Sequence, residues 1–159
     1  MNKELPTVVS ILPFVDDKVI MQLRDQKKEI VFPGHWGFFS GEINRDETAL
    51  EAAFRETKEE LSLQPRQFCL LGTDSVPERN FSYIFTFKLT EPLSAIELRE
   101  GLDFGLVSFW DIEKKVLFSK KLNKFFPIVP LPFIAKTFRK CLDHEIDLET
   151  LSADYSKKF

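Results

Sequence analysis

The sequence predicts an α/β domain built on a mixed β-sheet with helices on its faces, and three observations lead there. Short apolar runs separated by turn residues recur along most of the chain, as strands do. One strongly helical segment, residues 47–61, interrupts them. The composition, 43% hydrophobic and 30% charged over 159 residues, gives material for the core of one domain, residues 1–159 with its core at about 5–145.

Taken in order, Thr7–Phe14 (TVVSILPF) and Lys18–Arg24 (KVIMQLR) read as two strands joined at Asp16-Asp17 in a hairpin. A loop with Pro33-Gly34 leads to Trp36–Ile43 (WGFFSGEI), an apolar run broken by glycine. The helix follows, with Asp46 as its expected N-cap and the acids Glu47 and Glu51 early, where the macrodipole favours them. Phe68–Val76 and Phe81–Leu89 read as strands, the second with clear alternation, and Gly105–Trp110 as another. The basic, mixed stretch Lys114–Lys124 and the prolines Pro127, Pro130 and Pro132 carry no clear pattern; Phe133–Leu142 is expected to be a C-terminal helix, with a tail to residue 159.

Charge and cysteine usage narrow the function. A net charge of −3 gives no electrostatic footprint for duplex nucleic acid. Cys69 and Cys141 form no disulfide framework, and Cys69, inside an apolar run, reads as a small core residue. No apolar run is long enough to span a bilayer, so no membrane partner and a cytoplasmic location are expected. Oligomeric state stays open, a homodimer included. Seventeen phenylalanines supply core and pocket walls.

The chemistry concentrates in the helix. With roughly 100° between successive residues, Leu50, Phe54, Thr57 and Leu61 form a core-facing stripe. Glu56, Glu59 and Glu60 gather nearly opposite, among Ala49, Ala52 and Ala53. Three carboxylates on adjacent turns repel unless something cationic sits over them. Oxygen donors alone suit a hard cation, Mg²⁺ or Mn²⁺, and His35 and His144 both lie far from ligand spacing.

Gly41, Glu47, Arg55, Glu56, Glu59, Glu60 and Leu63 follow the spacing of G-x₅-E-x₇-R-E-U-x-E-E-x-G-U, with U a bulky apolar residue. In this the sequence resembles the Nudix hydrolase family. Thr57 and Ser62 depart from the pattern, at an apolar position and at the second glycine, and Ser40 replaces the first residue of a usual Gly-Gly pair. The resemblance implies an α/β/α sandwich around a mixed sheet. It also implies a metal-dependent pyrophosphohydrolase that attacks a nucleoside diphosphate linked to another moiety.

Carried over by position, the resemblance makes Glu56, Glu59, Glu60 and the Ser40 carbonyl the metal ligands. Arg55 then steadies Glu56, and Glu47 braces the loop–helix junction or the arginine. Glu59 is the first choice of general base, with Glu97, Glu100 and Asp103 as alternatives and as candidates for a further acidic ligand. Trp36, Phe38, Phe81 and Tyr83 are candidates for stacking a base, Arg79 for a phosphate contact and Glu100 for the substrate side. The substrate is expected to be a small nucleotide: a nucleotide sugar, an ADP-ribose-like compound or a nucleoside triphosphate. The competing reading is a catalytically silent Nudix-fold sensor or scaffold. The retained arginine and glutamates favour the enzyme, because a sensor has no need of costly like charges.

Overall fold

The computed structural model describes residues 6–76 and 80–130, together with positions 132, 135 and 136. The strands are β1 (Thr7–Val15), β2 (Lys18–Leu23), β3 (Trp36–Gly37), β4 (Phe39–Glu42), β5 (Cys69–Val76), β6 (Asn80–Lys88), β7 (Asp103–Val107), β8 (Val116–Ser119) and β9 (Lys124–Pro127). The named helices among the described residues are α1 (Ala49–Leu61) and α2 (Phe109–Lys114), with a 3₁₀ turn at Leu93–Ala95. The expected helix at Phe133–Leu142 lies outside the described residues, as do Pro77, Arg79, Cys141 and His144.

The main sheet is mixed. β1 pairs with β6 in parallel along Thr7–Phe14, while its other partners, β2 and β4, are antiparallel. β1 meets β2 only at the hairpin end, and β2 then pairs with β7. Freed from β2, Val8–Ile11 of β1 takes up β4. β5 closes the far side against β6.

Both faces of the central strands are buried, which is why they read as nearly continuous apolar runs. Val9 and Ile11 of β1, with Phe85 and Phe87 of β6 and Phe68, pack against Ala52, Ala53 and Leu61 of α1. Leu12, Phe14, Met21 and Ile84 face the opposite side, where Trp36, Phe109, Ile112 and Phe126 cover them. One face is thus roofed by α1 and the other by α2 and the β8–β9 hairpin. Ser10 and Ser82, neighbours across β1 and β6, satisfy each other at 2.7 Å between hydroxyls.

Three local expectations need correction. The N-cap of α1 is Thr48, not Asp46: Thr48 Oγ1 accepts from Glu51 N, and Glu51 Oε2 accepts from Thr48 N at 2.8 Å. This reciprocal pair satisfies two end donors at once, which a lone Asp46 cannot match. The strand predicted at Gly105–Trp110 stops at Val107, because Ser108 and Asp111 form the same kind of cap and start α2. The unpatterned basic stretch holds the β8–β9 hairpin, whose core-facing pair is Leu117 and Phe126.

Candidate active site

Chain direction brings the acidic cluster together. β4 leads into the loop before α1, and α1 packs back across β1 and β4 on its alanines. Ala52 and Ala53 are fully buried, so the helix approaches the sheet closely there. The sequence placed Glu56 and Glu60 opposite the core stripe. The structure instead buries both, along with Thr57 and Leu61, while Leu50 and Phe54 are only half-buried. Small residues on the glutamate side let that side turn inward.

Gly41 explains how Glu56 fits. A Cβ built on Gly41 would stand 1.9 Å from Glu56 Oε1, so only glycine lets the carboxylate lie against β4. The requirement is close approach; Gly41 pairs in register with Val9 and lies outside the left-handed region. Its neighbour Ser40, paired with Ser10, is equally regular, so the loss of a Gly-Gly pair costs no backbone strain here.

Arg55 ties the helix to the loop that feeds it. Its Nε and Nη2 donate to the two oxygens of Glu47 at 2.7 and 2.8 Å, and Nη2 also donates to the Glu42 carbonyl at 2.9 Å. Nη1 donates to Glu56 Oε1 at 2.5 Å and reaches Glu59 Oε2 at 3.4 Å. Glu47 accepts from Asn44 N as well, so it braces both the junction and the arginine. The hydrogen bonds from Arg55 hold the Glu47 carboxyl below its ordinary range, and Glu47 in turn raises the guanidinium. Such two-pronged pairing fixes orientation as well as charge.

Glu60 is in the opposite condition. It is 4% exposed, and its Oε2 is buried without a hydrogen-bond partner. Burial first, then the facing charges of Glu100 and Glu56 and a hydrogen bond with Glu56, push its carboxyl up to about 8, against a partial pull from Arg24. A buried oxygen left unpaired costs about 1–3 kcal/mol.

Glu100 comes close because its loop is tied to the end of α1: Arg99 N donates to the Glu60 carbonyl at 3.0 Å, and Glu97 N to the Leu61 carbonyl at 3.2 Å. Gly101, at φ +87°, then turns the chain onto β2, where an added Cβ would meet the Leu23 carbonyl at 2.9 Å. Ser40, Gln22, Arg24 and Glu100 line a small cleft of about 100 Å³.

The other expected site residues separate. Glu59 is exposed at the rim. Asp103 accepts from Ser119 Oγ at 2.6 Å and serves β7–β8 packing, while Glu97 is exposed beside Arg99. Trp36, expected as a stacking platform, is a correction: it is 1% exposed in the core, its indole N–H donating to the Leu117 carbonyl, and has no face for a base. Phe38 and Tyr83 are partly buried against the two cores. Phe81 is 37% exposed, its ring edge-on to Tyr83 at 5.3 Å, at the sheet end where β4 runs into the α1 loop. Arg79 lies outside the described residues. Burial pushes the Cys69 thiol up to about 11, in keeping with a core residue. Sequence reasoning missed Arg24, which acts on Glu60 from the residue just after β2; nothing in a lone arginine at a strand end signals that role.

Among the described residues, no three acidic, imidazole or thiol groups already surround one ion-sized point. The donor chemistry nevertheless fits a hard cation. Glu60 Oε2 is an orphaned buried oxygen, and Glu56 and Glu100 are the charges that a cation between them would relieve.

A model of the NUDIX domain matches residues 4–126 of this chain. The chain belongs to the Nudix hydrolase family. By class it is a Nudix pyrophosphohydrolase. Among solved structures, the Nudix fold recurs in the MutT protein of Methanosarcina mazei Go1, at 17% identity and a TM-score of 0.66, covering 92% of this chain and 99% of that one. A Nudix hydrolase from Nitrosomonas europaea is similar at 17% identity and TM-score 0.63, covering 89% and 75%. The Nudix domain of Shewanella oneidensis NrtR, solved with ADP ribose, is similar at 16% identity and TM-score 0.60, covering 91% and 90%. None of the curated proteins matches the chain.

Proposed function

We propose that this Nudix protein cleaves the pyrophosphate of a nucleoside diphosphate linked to another moiety, with Mg²⁺ or Mn²⁺. The observation that carries the reading is Glu60: a buried carboxylate with one oxygen left without a hydrogen-bond partner, facing two more carboxylates, which a sequence under stability pressure alone has no reason to keep. A divalent ion held by oxygens of Glu56, Glu59, Glu60, Glu100 and the Ser40 carbonyl would neutralise the diphosphate and acidify a nearby water.

The chain's own groups do the rest. Arg55 holds Glu56 in one orientation, because its guanidinium is fixed from three sides by Glu47, Glu56 and the Glu42 carbonyl. Glu59, exposed and only loosely held by Arg55, is the carboxylate best placed to take a proton from the attacking water. Glu100 is the loop acid that joins the cluster, in preference to Glu97 and Asp103. Phe81 offers an exposed ring for a base. The silent-sensor reading has no observation in its favour that the buried acids do not outweigh.

The test is a release assay with Mg²⁺ on nucleotide sugars, dinucleotides and nucleoside triphosphates. Compounds containing an ADP group belong first in the panel, since one structural relative was solved with ADP ribose and another is named an ADP compounds hydrolase. Turnover that stops with a chelator and returns with Mg²⁺ or Mn²⁺ is expected. Full turnover in excess chelator would refute the metal dependence.

A further inference from the structure

Ser62 is one of the two departures from the family pattern in α1 and its cap that the site chemistry leaves unexplained. It caps α1 at φ 57° and ψ 30°, a left-handed conformation that favours glycine. A serine there is strained, and its hydroxyl does something glycine cannot: Ser62 Oγ accepts from Arg99 Nε at 2.8 Å. The Arg99 backbone is fixed by its N–H to the Glu60 carbonyl, so both ends of the residue are held. Beside them opens a cleft of about 450 Å³ lined by Arg55, Lys58, Glu59, Ser62, Gln64 and Arg99. Its one acid, Glu59, leans on Arg55 at 3.4 Å. Among the described residues, the Arg99 side chain otherwise makes only a long contact with Glu97, 3.9 Å between two exposed side chains, which a better anion displaces.

The geometry points to an anion subsite in this cleft, with Arg99 and Lys58 binding an anionic group of the substrate beyond the scissile diphosphate and Ser62 positioning Arg99. This rests on the hydrolase reading and sharpens it: the substrate class is a nucleotide with a further phosphate or phosphate-like group, rather than a diphosphate ending in a neutral sugar. A guanidinium with one N–H already satisfied keeps its outer edge for two phosphate oxygens, and the adjacent ammonium adds a point charge. Glu59 shares the cleft, so an anion held there lies next to the acidic cluster.

The experiment measures binding of methylene-bridged, non-hydrolysable analogues of ATP and ADP with Mg²⁺ present, on wild type, Arg99→Gln, Ser62→Ala and Ser62→Gly. Wild type is expected to prefer the ATP analogue at least about tenfold. Arg99→Gln should remove most of that preference while changing ADP-analogue affinity less than about twofold. The two Ser62 variants move backbone strain differently but lose the same hydroxyl, so an equal partial loss of preference in both assigns the effect to the hydrogen bond. On any substrate found to turn over, Arg99→Gln should raise KM and spare kcat. Equal binding of the two analogues by wild type, or an undiminished preference in Arg99→Gln, overturns the subsite. Retained preference in both Ser62 variants overturns the positioning role. A preference that follows Arg99 in a protein with no turnover on any diphosphate sinks the hydrolase reading and leaves the subsite standing.

Discussion

Glu47 and Glu60 are the same residue at the two ends of one motif, and they live in opposite environments. Glu47 receives three hydrogen bonds, two of them from a guanidinium, and its carboxyl is held below the ordinary range. Glu60 is buried deeper, faces two further carboxylates, and is pushed up to about 8. The first is a charge whose partner is built into the fold. The second is a charge whose partner has to come from outside. The difference teaches that a row of acids in one motif divides into structural and functional members by what already neutralises each one.

The largest expected effect breaks the functional side of that contrast. Glu60→Gln keeps the shape of the side chain and removes the unpaired charge, so turnover should fall at least about a hundredfold. The metal-free variant should match wild type at pH 5 and gain on it as pH rises through about 8, where wild type takes on the Glu60 charge against Glu56 and Glu100 and the variant does not. Protection of wild type by Mg²⁺ in thermal melts should shrink in the variant. A variant that unfolds early yet turns over normally would make Glu60 structural.

Breaking the structural side should behave in the reverse way. Arg55→Ala takes the guanidinium from Glu47 and Glu56, leaves Glu47 only the Asn44 N–H, and opens the tie to the Glu42 carbonyl. A loss of about 1–3 kcal/mol is expected, the range for charged hydrogen bonds that are partly shielded from water. Denaturant melts check it; an unchanged midpoint would show that the loop and helix hold together without the arginine.

Titration sharpens the comparison further. Glu60's folded value lies above its ordinary 4.5, so between about pH 4.5 and 8 the folded, metal-free protein binds a proton that the unfolded chain does not. The stabilisation from that proton is complete below the unfolded value and is lost as pH rises through about 8. Glu47, lowered, acts with the other sign: its contribution is present above its ordinary value of 4.5 and lost as pH falls through its folded value. Metal-free melts from pH 5 to 8 should therefore show a downward slope in wild type that flattens in Glu60→Gln. Mg²⁺ affinity should rise over the same range, as the competing proton leaves.

The smallest effect concerns the end of the helix. Ser62→Gly removes left-handed strain at the cap and loses an exposed hydrogen bond from Arg99, so a net gain of up to about 1 kcal/mol is expected. That corresponds to a melting temperature higher by about 2–4 °C. A lower one would mean that the Arg99 tether contributes more than the strain costs.

Much of this was legible in the chain itself. The strands β1, β2, β5 and β6 are apolar runs bounded by turns, α1 carries its own period, and the spacing of Gly41, Glu47, Arg55, Glu56, Glu59 and Glu60 marks the chemistry. These are local signals, written by neighbours a few residues apart. What the sequence left unread depends on partners far along the chain. α2 and the β8–β9 hairpin hold no long period, and Leu117 and Phe126 become core only because the sheet lies beneath them. Trp36 looked available until the Leu117 carbonyl, 81 positions away, took its N–H. Helical geometry alone turned Glu56 and Glu60 outward, whereas close approach over Gly41 and two alanines turned them in. Glu100 reached the cluster through backbone bonds to the end of α1. Residue types and spacing determined which charges this protein carries. Burial and distance, which only the tertiary structure decides, determined which of them are left without a partner.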